Sequence, residues 1–192
     1  MTKPSNNIDY IKKAKKILES ARNQIVKSIN QSMVYAYYEL GRLIVEEEQR
    51  GLSRAKYSKQ TIKRLSDQLT SEFGRGYSIR NLEQMRKFYL VYLKTHTVSA
   101  ELQNAEFQLS WSHYLILIRI QNENKRRFYE LESIKNKWSV RELKRQFDSA
   151  LYERLVLSRD KSEIRKLSKE GLTLSDPKDV IKEPYILEFL GL

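Results

Sequence analysis

Phe73-Gly-Arg-Gly-Tyr-Ser-Ile-Arg-Asn-Leu-Glu-Gln-Met-Arg-Lys-Phe88 is the stretch whose reading decides the fold. Gly74 and Gly76 allow a tight turn, and Ser78 has the chemistry of an N-cap. Ile79, Leu82, Met85 and Tyr89 then recur at helical spacing, which predicts a helix to about Lys94 with those residues buried. On the opposite stripe stand Arg80, Asn81, Gln84 and Lys87. A guanidinium can grip guanine O6 and N7, and a side-chain amide can grip adenine N6 and N7, so the stripe suits a DNA groove. Upstream, Ser58 is expected to cap a helix from Lys59 to Glu72. Its apolar residues Ile62, Leu65, Leu69 and Phe73 would be buried, leaving Lys59 and Lys63 outside. Helix, glycine turn, helix with a polar first turn is the pattern of a helix-turn-helix-like unit, here over residues 51–94. Most such corners in helical proteins bind nothing, so the rest of the chain must weigh in.

On the N-terminal side a helical pattern runs from Asp9 to about residue 50. Ile11, Ile17, Leu18, Ile25, Ile29, Met33, Ala36, Leu40, Leu43 and Ile44 recur at spacings of three, four and seven, with lysines between them. A helix this long needs a partner along its length, and self-association is the expectation. Gly41 marks a bend or a close helix approach, and Gly51 the helix end. Tyr35, Tyr37 and Tyr38 are read as core or interface, and Glu46-Glu47-Glu48 as solvated.

On the C-terminal side the helical rhythm lapses over 95–110 and resumes in the apolar run Trp111–Ile120, expected as a buried helix with His113 in a core or capping role. Asn122 begins a further helix carrying the triplet Lys125-Arg126-Arg127. The opening motif then returns: Tyr77-Ser-Ile-Arg-Asn-Leu82 aligns with Trp138-Ser-Val-Arg-Glu-Leu143. In both, an aromatic can staple, Ser can cap, and Arg projects from the first turn. Ser139 and Glu142 have capping-box spacing, and the helix they start is expected to reach about Ser158. A second corner, within a unit spanning 95–170, follows. Glu142-Leu-Lys144 matches the end of a metal-dependent nuclease motif, but that motif sits on a strand, so on this helix it is read as a coincidence. Residues 171–192 carry two prolines and an apolar end, and are read as a linker.

The bulk composition agrees with an all-α protein: a long N-terminal helix, then a helical domain with one or two helix-turn-helix-like corners. Three prolines and six glycines interrupt 192 residues, and 40% are hydrophobic, enough for a core. There is no cysteine, and two distant histidines make no zinc spacing, so no metal or cofactor is expected. No signal core or membrane-span run is present, and a cytoplasmic location is expected. Net charge is +12, which implies a polyanionic partner. Residues 51–94 hold ten Lys/Arg against three Asp/Glu, and 121–170 hold fourteen against nine. The charge therefore gathers around both corners. Arg75, Arg80, Asn81, Gln84 and Lys87 are the candidates for groove contact, and Lys59 and Lys63 are further nucleic-acid-binding candidates. Lys125, Arg126, Arg127, Arg141, Lys144 and Arg145 are the candidates for phosphate contact.

Several stretches together resemble the N-terminal domain of the YhcG-like proteins, a bacterial family whose members carry a PD-(D/E)xK nuclease domain downstream. They are Tyr38-Glu-Leu-Gly-Arg-Leu-Ile-Val-Glu, Leu69 through Leu82, Leu109-Ser-Trp-Ser-His-Tyr, Asn136 through Leu143, and Asp176-Pro with Glu183 through Leu192. The resemblance implies a nuclease domain beyond Leu192, and so no catalytic residues and no enzyme in residues 1–192. The expectation is a DNA-binding module, dimeric through its first helix, that targets a tethered nuclease. The competing expectation is a protein-interaction or oligomerisation scaffold that never touches nucleic acid.

Overall fold

The computed structural model describes residues 5–50, 55–96, 107–157 and 170–171, with side chains from residue 9 in the first of these and over 60–93 in the second. The protein is all-α, with seven helices and no strand among the described residues: α1 (Ser5–Arg50), α2 (Ala55–Phe73), α3 (Ile79–His96), α4 (Trp111–Leu117), α5 (Glu123–Lys135), α6 (Val140–Asp148) and α7 (Leu151–Leu157). The long first helix is present as the sequence implies. Two compact units divide the chain, Met1–Trp111 and Ser112–Leu192.

In the first unit the second half of α1 packs along α3. Leu82, Met85, Phe88 and Tyr92, at spacings of three, three and four, form the buried face of α3. Fully burying each such side chain is worth roughly 1.5–3 kcal/mol. From α1 come Val34, Tyr38, Ile44 and Val45, with Ile62 from α2. Gly41 is a close approach rather than a bend: a Cβ there would stand 2.2 Å from the Met85 carbonyl oxygen. Around Phe88 gathers an aromatic cluster, with Tyr38, Tyr92, Phe107 and Trp111 at centroid distances of 5.0–5.8 Å. Arg86 of α3 donates to Glu48 of α1 at 2.6 Å, and Arg42 bridges Glu39 and Glu46 along α1. Glu46 and Glu48 are thus paired, not simply solvated.

The second unit is built from α4 to α7. Tyr114, Leu117, Phe128, Tyr129, Leu143 and Leu151 are almost wholly inaccessible. His113 is buried as expected, and its Nε2 lies 3.0 Å from the Trp138 carbonyl. A carbonyl can only accept, so the proton sits on Nε2, and burial lowers the imidazole pKa. The expected helix from Val140 to Ser158 is in fact two, α6 and α7, broken at Ala150 with φ +54°. The Tyr129 hydroxyl spans the break, donating to the Gln146 carbonyl at 3.3 Å and accepting the Tyr152 N–H at 3.2 Å. Those are the groups that a helix end leaves without partners. Burial pushes this phenol up to about 12.

Other boundaries moved too. The second helix already runs from Ala55, so Ser58 lies inside it and does not cap it. The third reaches His96, two residues past its expected end. Gly51, residues 97–106, Ser158 and residues 172–192 lie outside the described residues.

Candidate nucleic-acid interface

The first corner is α2, the turn 74–78 and α3. Gly74 ends α2 with φ +81°, its N–H donating to the Thr70 carbonyl at 3.1 Å, and Gly76 continues at φ +142°. These are left-handed conformations that side chains other than glycine resist. Ser66, buried on α2, donates its hydroxyl to the Tyr77 carbonyl at 2.8 Å and so ties helix to turn. Ser78 caps α3, its Oγ accepting the Asn81 N–H at 3.4 Å. An open groove follows, lined by Ser66, Asp67, Thr70, Ser71, Ser78, Ile79 and Arg80.

Arg75, on the turn, and Arg80 and Lys87 on α3 are exposed, and among the described residues no ion pair holds them. Lys63 is exposed on α2, whereas the Lys59 side chain lies outside the described residues. Gln84 is half-buried on the same face of α3. Asn81 departs from the sequence expectation in one respect: its side-chain amide nitrogen donates to the Gly76 carbonyl at 2.9 Å. That hydrogen bond turns the amide back onto the turn. Adenine recognition would need those protons, so in this arrangement Asn81 organises the corner.

Two side chains expected inside are outside. Phe73 is 65% exposed and Ile79 43%. Phe73 closes α2 and meets Tyr77 edge to face, ring centroids 6.1 Å apart. Ile79 is the first residue of α3, ahead of the turn at which Leu82 first meets the core. Sequence reasoning also passed over Glu83, exposed between Arg80 and Lys87 and able to accept from a cytosine amine.

The second corner is α5, the turn 136–139 and α6. Lys137 takes φ +52° and closes a Schellman motif: Trp138 N–H donates to the Ser133 carbonyl at 3.0 Å, and Lys137 N–H to Ile134 at 3.4 Å. Ser139 caps α6 by accepting the Glu142 N–H at 3.2 Å. Only that half of the capping box is drawn. The Glu142 carboxylate turns instead to Arg145 and Gln146, both donating, and these bonds hold its pKa below the usual carboxylate range.

The phosphate candidates here separate into two groups. Arg126 is buried and donates to the Ile120 carbonyl at 3.0 Å, which satisfies the chain end after α4; it cannot hold a phosphate. Lys125 is paired with Glu153 and stands 4.6 Å over the Phe147 ring, so it ties α5 to α6 and α7. Arg145 is exposed but engaged by Glu142 at 2.8 Å. Arg127, Arg141 and Lys144 are exposed, joined by Arg119 and Lys137, which the motif reading did not single out. Glu142-Leu-Lys144 lies in a capped helix, with Glu142 tied to its own helix. Among the described residues no group of three or more His, Cys, Asp or Glu could hold a metal. No helix among them is long and apolar enough to cross a membrane.

Comparison with known proteins adds an independent result. Residues 13–154 match the family described as the DUF1016 N-terminal domain. Over 201 aligned residues the chain is 39% identical to an Escherichia coli (strain K12) protein named "Putative nuclease YhcG", covering 92% of this chain and 54% of that protein. The chain thus spans about half the length of the curated relative it matches. No solved structure matches. The match corrects one expectation: because nearly all of this chain aligns with a protein named a nuclease, the reading of it as no enzyme does not stand.

Proposed function

The chain belongs to the DUF1016 N-terminal domain family, and on that premise we propose that it is a DNA-binding and dimerising module that directs nuclease activity. One observation carries the reading. The first corner presents Arg75, Arg80 and Lys87 exposed and, among the described residues, clear of ion pairs, on a turn and helix held by the Ser66, Ser78 and Asn81 hydrogen bonds. Arg80 and Lys87 lie two turns apart on one face of α3, the disposition of a groove-reading helix. Gln84 lies between them. The second corner supplies backbone contacts through Arg127, Arg141 and Lys144.

Dimerisation is supported by the first half of α1. Ile11, Leu18, Ile25 and Ile29 are between 48% and 63% exposed. Eight such side chains from two copies, each about half covered already, would gain roughly 6–12 kcal/mol at about 1.5–3 kcal/mol for a fully buried chain. Association costs about 4–15 kcal/mol. The arm is therefore sized for a concentration-dependent dimer. The same exposed arm favours the second reading, a scaffold without nucleic-acid contact.

Binding to duplex DNA across a salt series separates the two. The DNA reading expects log affinity to fall with log salt by about 0.9 per phosphate contact. It also expects Arg141→Ala with Lys144→Ala to flatten that slope by about 2. A dimer with no DNA affinity at any salt concentration would establish the scaffold instead.

A further inference from the structure

The exposed seam of α1 has a size pattern as well as an apolar one. Ile11, Leu18 and Ile25 recur every seven residues, and Ala14, Ala21 and Ser28 recur every seven between them. Large and small positions therefore alternate along one face of a helix on which Ile11, Leu18 and Ile25 are exposed among the described residues.

Two copies can pair along this face in two directions. In a parallel pair each residue meets its own copy. Layers of Ile or Leu against the same residue would then alternate with layers of Ala against Ala or Ser against Ser. Two straight helices have one separation, so they would be crowded in the first kind of layer and leave voids in the second. In an antiparallel pair Ile11 meets Ser28, Ala14 meets Ile25, and Leu18 meets Ala21. Every layer then sums one large and one small side chain, and a single close separation fits them all. Charge points the same way. Lys12, Lys13, Lys15 and Lys16 would lie against their own copies in the parallel pair. The antiparallel pair sets them beside residues 23–27, where Lys27 is the one charged side chain.

We propose that the occupant of this seam is a second copy of the chain, running antiparallel, with its two-fold axis between Glu19 and Ser20. The proposal rests on the dimer reading above and goes beyond it in fixing direction and register. It has a consequence for the bound DNA. Gly41, where α3 meets α1, lies about 21 residues from that axis, roughly 32 Å at 1.5 Å per residue. The two α1–α3 contacts are then roughly 65 Å apart along the arm, close to two turns of B-DNA at about 34–36 Å each. The preferred target is thus a duplex with two separated half-sites.

The chain has no cysteine, so an introduced one is unique. The test uses Ile11→Cys, Ala14→Cys, Ile25→Cys and Ser28→Cys as single variants of the full chain, oxidised alone and in pairs. A disulfide needs Cα atoms about 4.4–6.8 Å apart. In the antiparallel dimer two copies of Ser28→Cys are roughly 25 Å apart along the axis and stay unlinked. Mixing Ser28→Cys with Ile11→Cys, or Ala14→Cys with Ile25→Cys, gives the cross-linked dimer. Ser28→Cys or Ala14→Cys linking to itself, or a dimer that links in no combination, overturns the proposal while leaving the dimer reading in place. Sedimentation of the unmodified chain as a monomer at every concentration overturns both.

Discussion

The two corners share a six-residue grammar and spend it differently. Tyr77–Leu82 and Trp138–Leu143 each cap a helix with Ser and bury the same Leu, with Leu82 N–H and Leu143 N–H donating to the Ser78 and Ser139 carbonyls at 3.0 and 2.9 Å. Around that shared frame the first corner is open. Its glycines have empty space where a Cβ would stand, its apolar tip is exposed, and among the described residues Arg75, Arg80 and Lys87 are clear of ion pairs, whereas Arg86 is turned inward to Glu48. The second corner is closed. Trp138 is buried, Glu142 holds Arg145 and Gln146, and Lys125 and Arg126 are drawn into packing. A repeated motif thus marks where helices begin; whether a corner is available for a ligand is decided by residues outside the repeat.

The comparison can be stressed at graded cost. Gly41→Ala should have the largest effect, because the first corner hangs on the α1–α3 contact and the new Cβ would meet the Met85 carbonyl at 2.2 Å. We expect about 3 kcal/mol lost in urea unfolding, typical of severe overpacking. A neutral result would mean that the first unit is looser than described. Tyr129→Phe removes both hydrogen bonds across the α6–α7 break and should cost about 1–3 kcal/mol, with affinity for DNA at the first corner unchanged. Loss of binding together with stability would show that the two corners are coupled. Ser139→Ala should cost about 1 kcal/mol and Ser78→Ala less, since the cap bonds are 3.2 and 3.4 Å respectively. Equal losses would erase the contrast in how firmly the corners are built. Smallest is Lys137→Gly, expected to add about 0.5–1 kcal/mol by relieving a φ of +52°; a destabilised variant would mean that the lysine side chain contributes packing.

How far the sequence carried varies by physical cause. The long first helix was legible because its apolar residues repeat over forty positions without proline, and the caps at Ser78 and Ser139 because capping is local. Gly41 was legible as one of two alternatives, and only the Met85 carbonyl decides between them. The break at Ala150 was not, since alanine is the best helix former and the left-handed turn is held by a tyrosine twenty-one positions away. Arg126 reads as one of three adjacent cations. Which of the three turns inward depends on the Ile120 carbonyl that Arg126 reaches, a tertiary fact. Phe73 and Ile79 fall in register with the buried stripes and are exposed because each sits at a helix end, where periodicity says least.

The central claim is that the first corner reads DNA and the second grips its backbone. The direct measurement is binding to a preferred duplex and to single-base variants of it, for Arg80→Ala with Gln84→Ala against Arg141→Ala with Lys144→Ala. The account predicts that the first pair narrows the difference between preferred and variant duplexes by about 1–3 kcal/mol. The second pair should weaken all duplexes alike and lower the salt slope by about 2. Unchanged discrimination in the first pair, or lost discrimination in the second, would contradict it.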